Sequence, residues 1–455
     1  MESFGGVGRA THDNSTSFAL ALTALQSGDT LIVNEGIWRT GPLTIHDKSN
    51  ITLRLEKGAR ILFSDDEDLY EPVFSRWEGI NCYCLQSCLS IVNSSHIRIT
   101  GKGILDGQGK AWWVASLHKR ELQKGPVSSK EQLLAQLNPG YEEHSGGGGG
   151  RQSQYLRPPL LQIRTSEHIT VEGITLTNSP FWTLHPLYSR NLTFKDLVII
   201  NAKDAPNTDG IDVDSCQSVH ITGCLIDVGD DGIALKSGSG DDGIITNIPT
   251  NNVRIDHCTV KNAHGGAVIG SETAAGIFDV RVSDCLFDGT DRGIRIKTRR
   301  GRGGKISNLH FSDIRMQDNL CPLTLNMYYR CGSVDDADFA LEKLALSPTT
   351  PSIANVTISN CTATGSRSSA AFIVGLPEAP ITNLRIENCS FGVATEGLEP
   401  IEDSEMIQGL PVITERGIRL RNVELSVHGL EVTGLGKGES GQSLYIEEGV
   451  ALTEL

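Results

Sequence analysis

The 455-residue sequence has no run of about 18 consecutive apolar residues, so it predicts no membrane-spanning helix. It has no excess of positive charge. Its formal net charge of −15 argues against general binding to nucleic acid or to an anionic membrane surface. The N-terminus lacks a basic head, an apolar core and a small-residue cleavage site. Folded sequence is expected from Gly5-Gly6-Val7-Gly8 onward, which predicts a cytoplasmic protein unless a leader has been removed. Eleven cysteines is an odd number with no secretory framework, so reduced thiols are expected, and matches to the glycosylation pattern at Asn93 and Asn191 carry no meaning. Aromatic residues are scarce (5%), glycine is abundant, and β-branched residues fill short apolar runs. That combination favours many short strands joined by turns.

The length alone would allow about three domains, but an internal repeat predicts a single domain over residues 1–455. Aligned on Ile169, Leu192, Val219, Val253, Val280, Leu309, Val356 and Leu384, the chain is apolar at positions 0, 2, 5 and 7. Ile169-Val171-Ile174-Leu176 sets the pattern. A spacing of two marks a strand with one face inward. The step from 2 to 5 breaks that parity, so the chain bends and starts a second strand. The repeats begin 23, 27, 34, 27, 29, 47 and 28 residues apart, which suits one coil of a parallel β-helix and is short for a propeller blade of about 40–50 residues. Cys224, Cys258, Cys285, Cys361 and Cys389 all fall at position 5 and predict an interior column of thiols. Cys82, Cys84 and Cys88 form a denser group, but no histidine pair accompanies them to complete a zinc site.

The open end of a solenoid needs a cover, and Ser17–Gln26 predicts a short amphipathic helix that caps the N-terminal end. Residues 110–157 break the repeat. Within them Glu131–Leu137 looks helical and five glycines at 146–150 form a flexible stretch; the insertion is expected to be a lid beside the site. A second insertion is expected near 332–352, after Tyr328-Tyr329.

Four polar clusters follow one another at about one repeat each: Asn207-Thr208-Asp209-Gly210, Gly229-Asp230-Asp231-Gly232, Ala263-His264-Gly265-Gly266 and Arg295-Ile296-Lys297. Each has an ordinary reading alone: two turns, a hydrogen-bonded histidine, and a strand with its charges outward. In a solenoid they stack on one wall. Hydrolysis of a glycosidic bond needs an acid for the leaving oxygen and a base for water or carbon. Crowded carboxylates repel one another and keep a proton available. An Arg beside a Lys can hold a sugar carboxylate. Seven basic residues between Arg292 and Lys305 predict the local basic patch that an acidic substrate would need on an acidic protein.

These motifs resemble the polygalacturonase family of inverting glycoside hydrolases (family 28), all-β proteins that fold as right-handed parallel β-helices. Asp106-Gly107-Gln108-Gly109 with Trp112-Trp113, Arg157-Pro158-Pro159, Asn178-Ser179-Pro180-Phe181-Trp182 and the Asp clusters carry the likeness. The family's usual Gly-His-Gly reads Ala263-His264-Gly265 here. The resemblance implies that Asp230 is the general acid, that Asp209 and Asp231 activate the attacking water, and that His264 positions the acid. It implies that Arg295, Lys297 and Tyr329 bind a galacturonate carboxylate, with no metal and no cofactor. Trp182 and His185 are candidate walls of the sugar site. Inversion predicts a carboxyl separation of about 6.5–9.5 Å. The segments around Pro180–Pro186 and Thr290–Gly293 resemble the bacterial, exo-acting branch, so the expected partner is a galacturonate-containing oligosaccharide. Another pectic linkage, such as that of rhamnogalacturonan, and a calcium-dependent pectate lyase on the same architecture are the alternatives. The sequence carries no information on oligomeric state.

Overall fold

A computed structural model describes the whole chain except residues 123–124, 145–152, 332–335, 437–440 and 455. The five glycines at 146–150 and the start of the second insertion lie outside the described residues. The fold is an all-β parallel β-helix whose strand ladders run in parallel from coil to coil. The contacts divide the chain into two compact units. One is Met1–Trp77, Asn81–His144 and Gly149–Asp230; the other is principally Asp231–Leu455 with Glu78–Ile80.

In the first unit, Ile169, Leu192 and Val219 pair in register on the strands Glu167–Glu172, Arg190–Lys195 and Gln217–Thr222. In the second, Val253, Val280, Leu309, Val356 and Leu384 do the same. Position 0 of the repeat is therefore one interior column in each unit, and positions 2, 5 and 7 are buried with it. In the repeat from Leu384 one strand, Ile381–Val393, spans both apolar halves. In most repeats the two halves lie on separate strands, such as Glu167–Glu172 and Thr175–Thr177, with the parity break at the turn between them. Position 5 sits in that turn. In the second unit its column reads Cys258, Cys285, Ile314, Cys361, Cys389, and every cysteine in it is buried and free.

The repeat has a further element that apolar spacing alone did not reveal. The residue just before position 0 is His168, Asn191, Ser218, Asn252, Asp279, Asn308, Asn355 or Asn383, and all eight have φ between 50° and 60°. This left-handed conformation turns the chain into the strand, and Asn and Asp tolerate it better than most residues. Their side chains also link successive coils: Asn383 Nδ2 donates to Asn355 Oδ1 at 2.7 Å, Asn355 to Asn308 at 3.3 Å, and Asn308 to Asp279 at 3.1 Å.

A third strand in each coil completes the circuit. Its members in the first unit are Leu43–His46, Leu89–Val92, Leu161–Arg164, Leu184–Leu187 and Ile211–Asp214. In the second they include Asp231–Lys236, Gly265–Gly270, Arg292–Lys297 and Cys321–Asn326. The polar clusters lie on these strands or in the turns that lead into them.

The helix Ser15–Ala24 begins two residues earlier than predicted and buries Phe18, Ala21 and Leu22. The 110–157 insertion contains the helices Lys110–Leu122 and Ser129–Leu137, the second started by a capping box of Ser128 and Glu131. Trp112 anchors the insertion edge-on to Tyr70 at 5.4 Å, and Trp113 Nε1 donates to the Ser179 carbonyl at 2.7 Å. No described helix is long and apolar enough to cross a membrane.

Candidate active site

The first unit builds the Asp209 turn from below. Asn201 Nδ2 donates to Thr183 Oγ1 at 2.8 Å and to the Thr208 carbonyl at 3.2 Å, while the Thr208 hydroxyl donates to the Ala205 carbonyl at 3.0 Å. Asn207 takes φ 55°, and its side-chain oxygen accepts from Arg157 Nη2 at 3.0 Å and from Arg120 of the insertion. Arg157 also donates to the Pro180 and Pro206 carbonyls at 2.7 and 3.0 Å. Asp209 is held by a buried scaffold, and Asn201, absent from the sequence prediction, is its centre. Gly229 precedes Asp230 because a Cβ there would lie 2.0 Å from the Lys203 carbonyl oxygen. Side-chain oxygens of Asp209 and Asp230 come within 4.8 Å of each other.

Asp231, the next residue in the chain, opens the second unit. It is buried, with Oδ1 2.8 Å from Arg295 Nη1 and Oδ2 2.6 Å from Lys297 Nζ. Arg295 and Lys297 alternate with the inward-facing Ile294 and Ile296, so both cations leave the strand on its outer face. Burial would raise the Asp231 pKa, but the charges of Lys297, Arg295 and Lys236 outweigh it and hold the carboxyl well below the usual range. The Tyr329 ring covers the same cations, its centroid 5.6 Å from the Arg295 guanidinium carbon and 5.3 Å from Lys297 Nζ. Tyr328 turns elsewhere, towards Arg300 and the Ala340 carbonyl. Lys236 bonds Glu272 at 2.9 Å, a pair the sequence reading did not single out.

His264 sits in a turn whose tightness explains its glycines. A Cβ on Gly265 would approach Val268 to 2.5 Å, and one on Gly266 the Phe287 ring to 2.4 Å. Ala263 is fully buried, so its methyl is packed rather than protruding. The imidazole is half-exposed, with Nε2 4.0 Å from Asp291 Oδ2, and the Asp291 amide donates to the Ala263 carbonyl at 2.8 Å.

Trp182 and His185 are buried (3% and 1% exposed) and pack edge-to-face at 5.0 Å. Phe181 continues the stack from Trp182 to Trp77. His185 Nδ1 lies 3.0 Å from Gln162 Nε2, and its Nε2 lies 3.9 Å from Asp214, which also bonds Arg76 at 2.7 Å. Both residues are thus parts of a buried network beneath the Asp209 turn.

The basic stretch is not the exposed patch that was expected. Arg292, Arg295, Lys297, Arg299, Arg300 and Arg302 are all buried. Arg292 donates to the Ser404 and Asp403 carbonyls, Arg299 pairs with Asp338 at 3.0 Å, and Arg300 pairs with Glu378 at 2.6 Å. Burying a cation is costly unless the fold supplies its counter-charge, so Arg292, Arg299 and Arg300 are committed internally, while Arg295 and Lys297 pair with Asp231.

Two cations already occupy the oxygens of Asp231, which suits it poorly as a ligand for calcium, an ion that requires six to eight oxygen ligands. Cys82, Cys84 and Cys88 are buried thiols, and burial pushes the last two up to about 12.

Residues 141–402 match the profile of glycosyl hydrolases family 28. A probable polygalacturonase of Vitis vinifera is 30% identical over 86% of this chain and 74% of its own. An exo-poly-alpha-D-galacturonosidase of Dickeya chrysanthemi is 27% identical over 69% of this chain and just over half (54%) of its own. Among solved structures, a hyperthermoactive exopolygalacturonase from Thermotoga maritima superposes with a TM-score of 0.77 at 28% identity, covering 95% of this chain and 91% of its own. With two acids held together, a third clamped between cations, and these relatives, the chain belongs to the glycosyl hydrolases of family 28.

Proposed function

We propose that this hydrolase cleaves α-1,4 galacturonosidic bonds of pectic oligosaccharides from a chain end. The observation that carries the reading is the acidic pair Asp209 and Asp230, followed in the chain by an Asp231 fixed between Arg295 and Lys297. In this mechanism Asp230 protonates the leaving oxygen. Asp209 and the ionised Asp231 activate the water, Asp231 by orienting it and Asp209 as the base. His264 positions the acid. Arg295, Lys297 and Tyr329 receive a substrate carboxylate, which suits a planar guanidinium beside an ammonium. The family likeness implies inversion. The clamp on Asp231 supports inversion, because a carboxylate held by two cations is a weak nucleophile towards carbon.

Exo action is supported by the insertion, whose Arg120 reaches Asn207 beside Asp209, and by the exo-acting relatives. The test is chromatography of the products from defined, end-labelled oligogalacturonides, with proton NMR of the first anomer released. Galacturonate alone from the earliest time, in the inverted β-configuration, is expected. A spread of oligomers from the start would overturn exo action, a retained anomer would overturn inversion, and an unsaturated product lost on chelation would replace the hydrolase with a lyase. Asp230→Asn should lower turnover by at least about 10³-fold, the scale of a lost general acid.

A further inference from the structure

The third strands of the first unit end in a cleft of about 390 Å³ that has no part in the site above. His46, Val92 and Arg164 stack in register along it on successive coils, and Phe74 and Tyr188 form its sides. Arg164 registers with Leu187, and Leu187 with Asp214. Asp214 lies five residues beyond Asp209, so the cleft is displaced from the acidic pair by roughly 16 Å along the strand direction.

Arg164 is half-buried, yet it has no carboxylate partner among the described residues. One of its terminal nitrogens donates to the Phe74 carbonyl, and its Nε is buried without a hydrogen-bond acceptor. Burial pushes the guanidinium pKa down, with only a small opposing influence from the Cys84 side chain. Arg164 itself lines the cleft. A partly desolvated cation without a counter-ion favours an anion that can enter. Phe74 is 55% exposed, and its ring is set edge-on against Tyr83 at 5.5 Å, so it offers a flat apolar surface beside the cation. Asn93 and Thr165 add polar groups at the rim.

We propose that this cleft is a second carbohydrate subsite that takes one uronate unit, its carboxylate on Arg164 and its ring against Phe74, away from the bond being cut. The choice of a uronate rests on the function proposed above; the cleft itself does not depend on it.

The test is calorimetric titration of the Asp230→Asn protein with oligogalacturonates of two, four and eight units, with and without Arg164→Gln or Phe74→Ala. The octamer should bind at least tenfold more weakly to either double variant, the dimer should be unaffected, and Arg164→Lys should fall between. Equal octamer affinity in the presence and absence of Arg164→Gln would overturn the proposal, as would the same weakening at every length. Competition by inorganic sulfate without any dependence on chain length would mark a simple anion site and also overturn it. If Arg164→Gln fails to fold, the exposed Phe74→Ala carries the test. Failure of the wild type to cleave any oligogalacturonate would sink the catalytic reading and leave this binding measurement standing.

Discussion

Lys297 Nζ lies 2.6 Å from Asp231 Oδ2, and the Tyr329 ring lies 5.3 Å from the same ammonium. This lysine helps keep Asp231 ionised, and in the proposed function it also receives a substrate carboxylate. Lys297→Met removes one partner of a buried ion pair, a change that costs about 3–5 kcal/mol. The folded Asp231 carboxyl titrates below its unfolded value. Its stabilising contribution is therefore complete above the unfolded pKa and lost as pH falls through the folded one. Without Lys297 the folded pKa rises, so the midpoint of acid unfolding should move to higher pH. The measurement is circular dichroism against pH. Activity should fall with the affinity for acidic oligomers, read as kcat/KM.

Glu405 should respond to pH in the opposite sense. Its buried carboxyl is 3.1 Å from Arg419, yet its pKa is pushed up to about 7: burial raises it most, Arg419 opposes, and Glu447 adds to the rise. The folded state then holds this proton more tightly than the unfolded chain. Stability falls as pH rises from the unfolded value towards 7. Glu405→Gln should be more stable than wild type at pH 8 by on the order of 2 kcal/mol, read as a higher Tm, and lose that advantage at pH 5. The opposite trend would show the Arg419 pair to be the stronger influence.

These two groups mark the limits of legibility in the sequence. The interior columns were readable because Ile169, Leu192 and Val219, or Val253 and Val280, recur at fixed offsets from one another. Asp209, Asp231 and Lys297 were readable as residue types, but their offsets did not give their register. Lys297 pairs with Gly270 and Asn326, while Asp231 pairs with Gly265. The loops between the second and third strands differ in length, and only the backbone ladder resolves that. The asparagine ladder was present as a residue before each position 0, but apolar periodicity does not report a left-handed turn. The arginines from 292 to 302 misled because charge implies exposure until the partners, such as Glu378 for Arg300, are known. Asn201 and Glu405 had no motif to announce them; their importance comes from what the fold packs around them.

The thiols offer a direct check on the described interior. Ten cysteines are buried and Cys331 alone is half-buried. A thiol reagent should therefore modify about one cysteine in the native protein and all eleven after denaturation. Cys331→Ser should abolish the fast fraction. Rapid labelling of two or more native thiols would mean that the column at position 5 is open to solvent.

The insertion should govern where cleavage occurs more than how fast. Arg120, on the helix Lys110–Leu122, donates to the side chain of Asn207, which Arg157 also holds at 3.0 Å. Losing Arg120 therefore leaves the Asp209 turn anchored by Arg157 and Asn201, and an exposed hydrogen bond contributes about 1 kcal/mol or less to stability. Arg120→Ala should keep Tm within a few degrees and kcat on a trimer within about threefold, since about 1.4 kcal/mol would be needed for a factor of ten. If the insertion closes one end of the binding groove, the variant should release dimers and trimers from long oligogalacturonates alongside the monomer. Product chromatography decides it. An unchanged monomer-only pattern would place the exo determinant elsewhere, and a collapse of kcat on the trimer would mean that Arg120 orders the Asp209 turn itself.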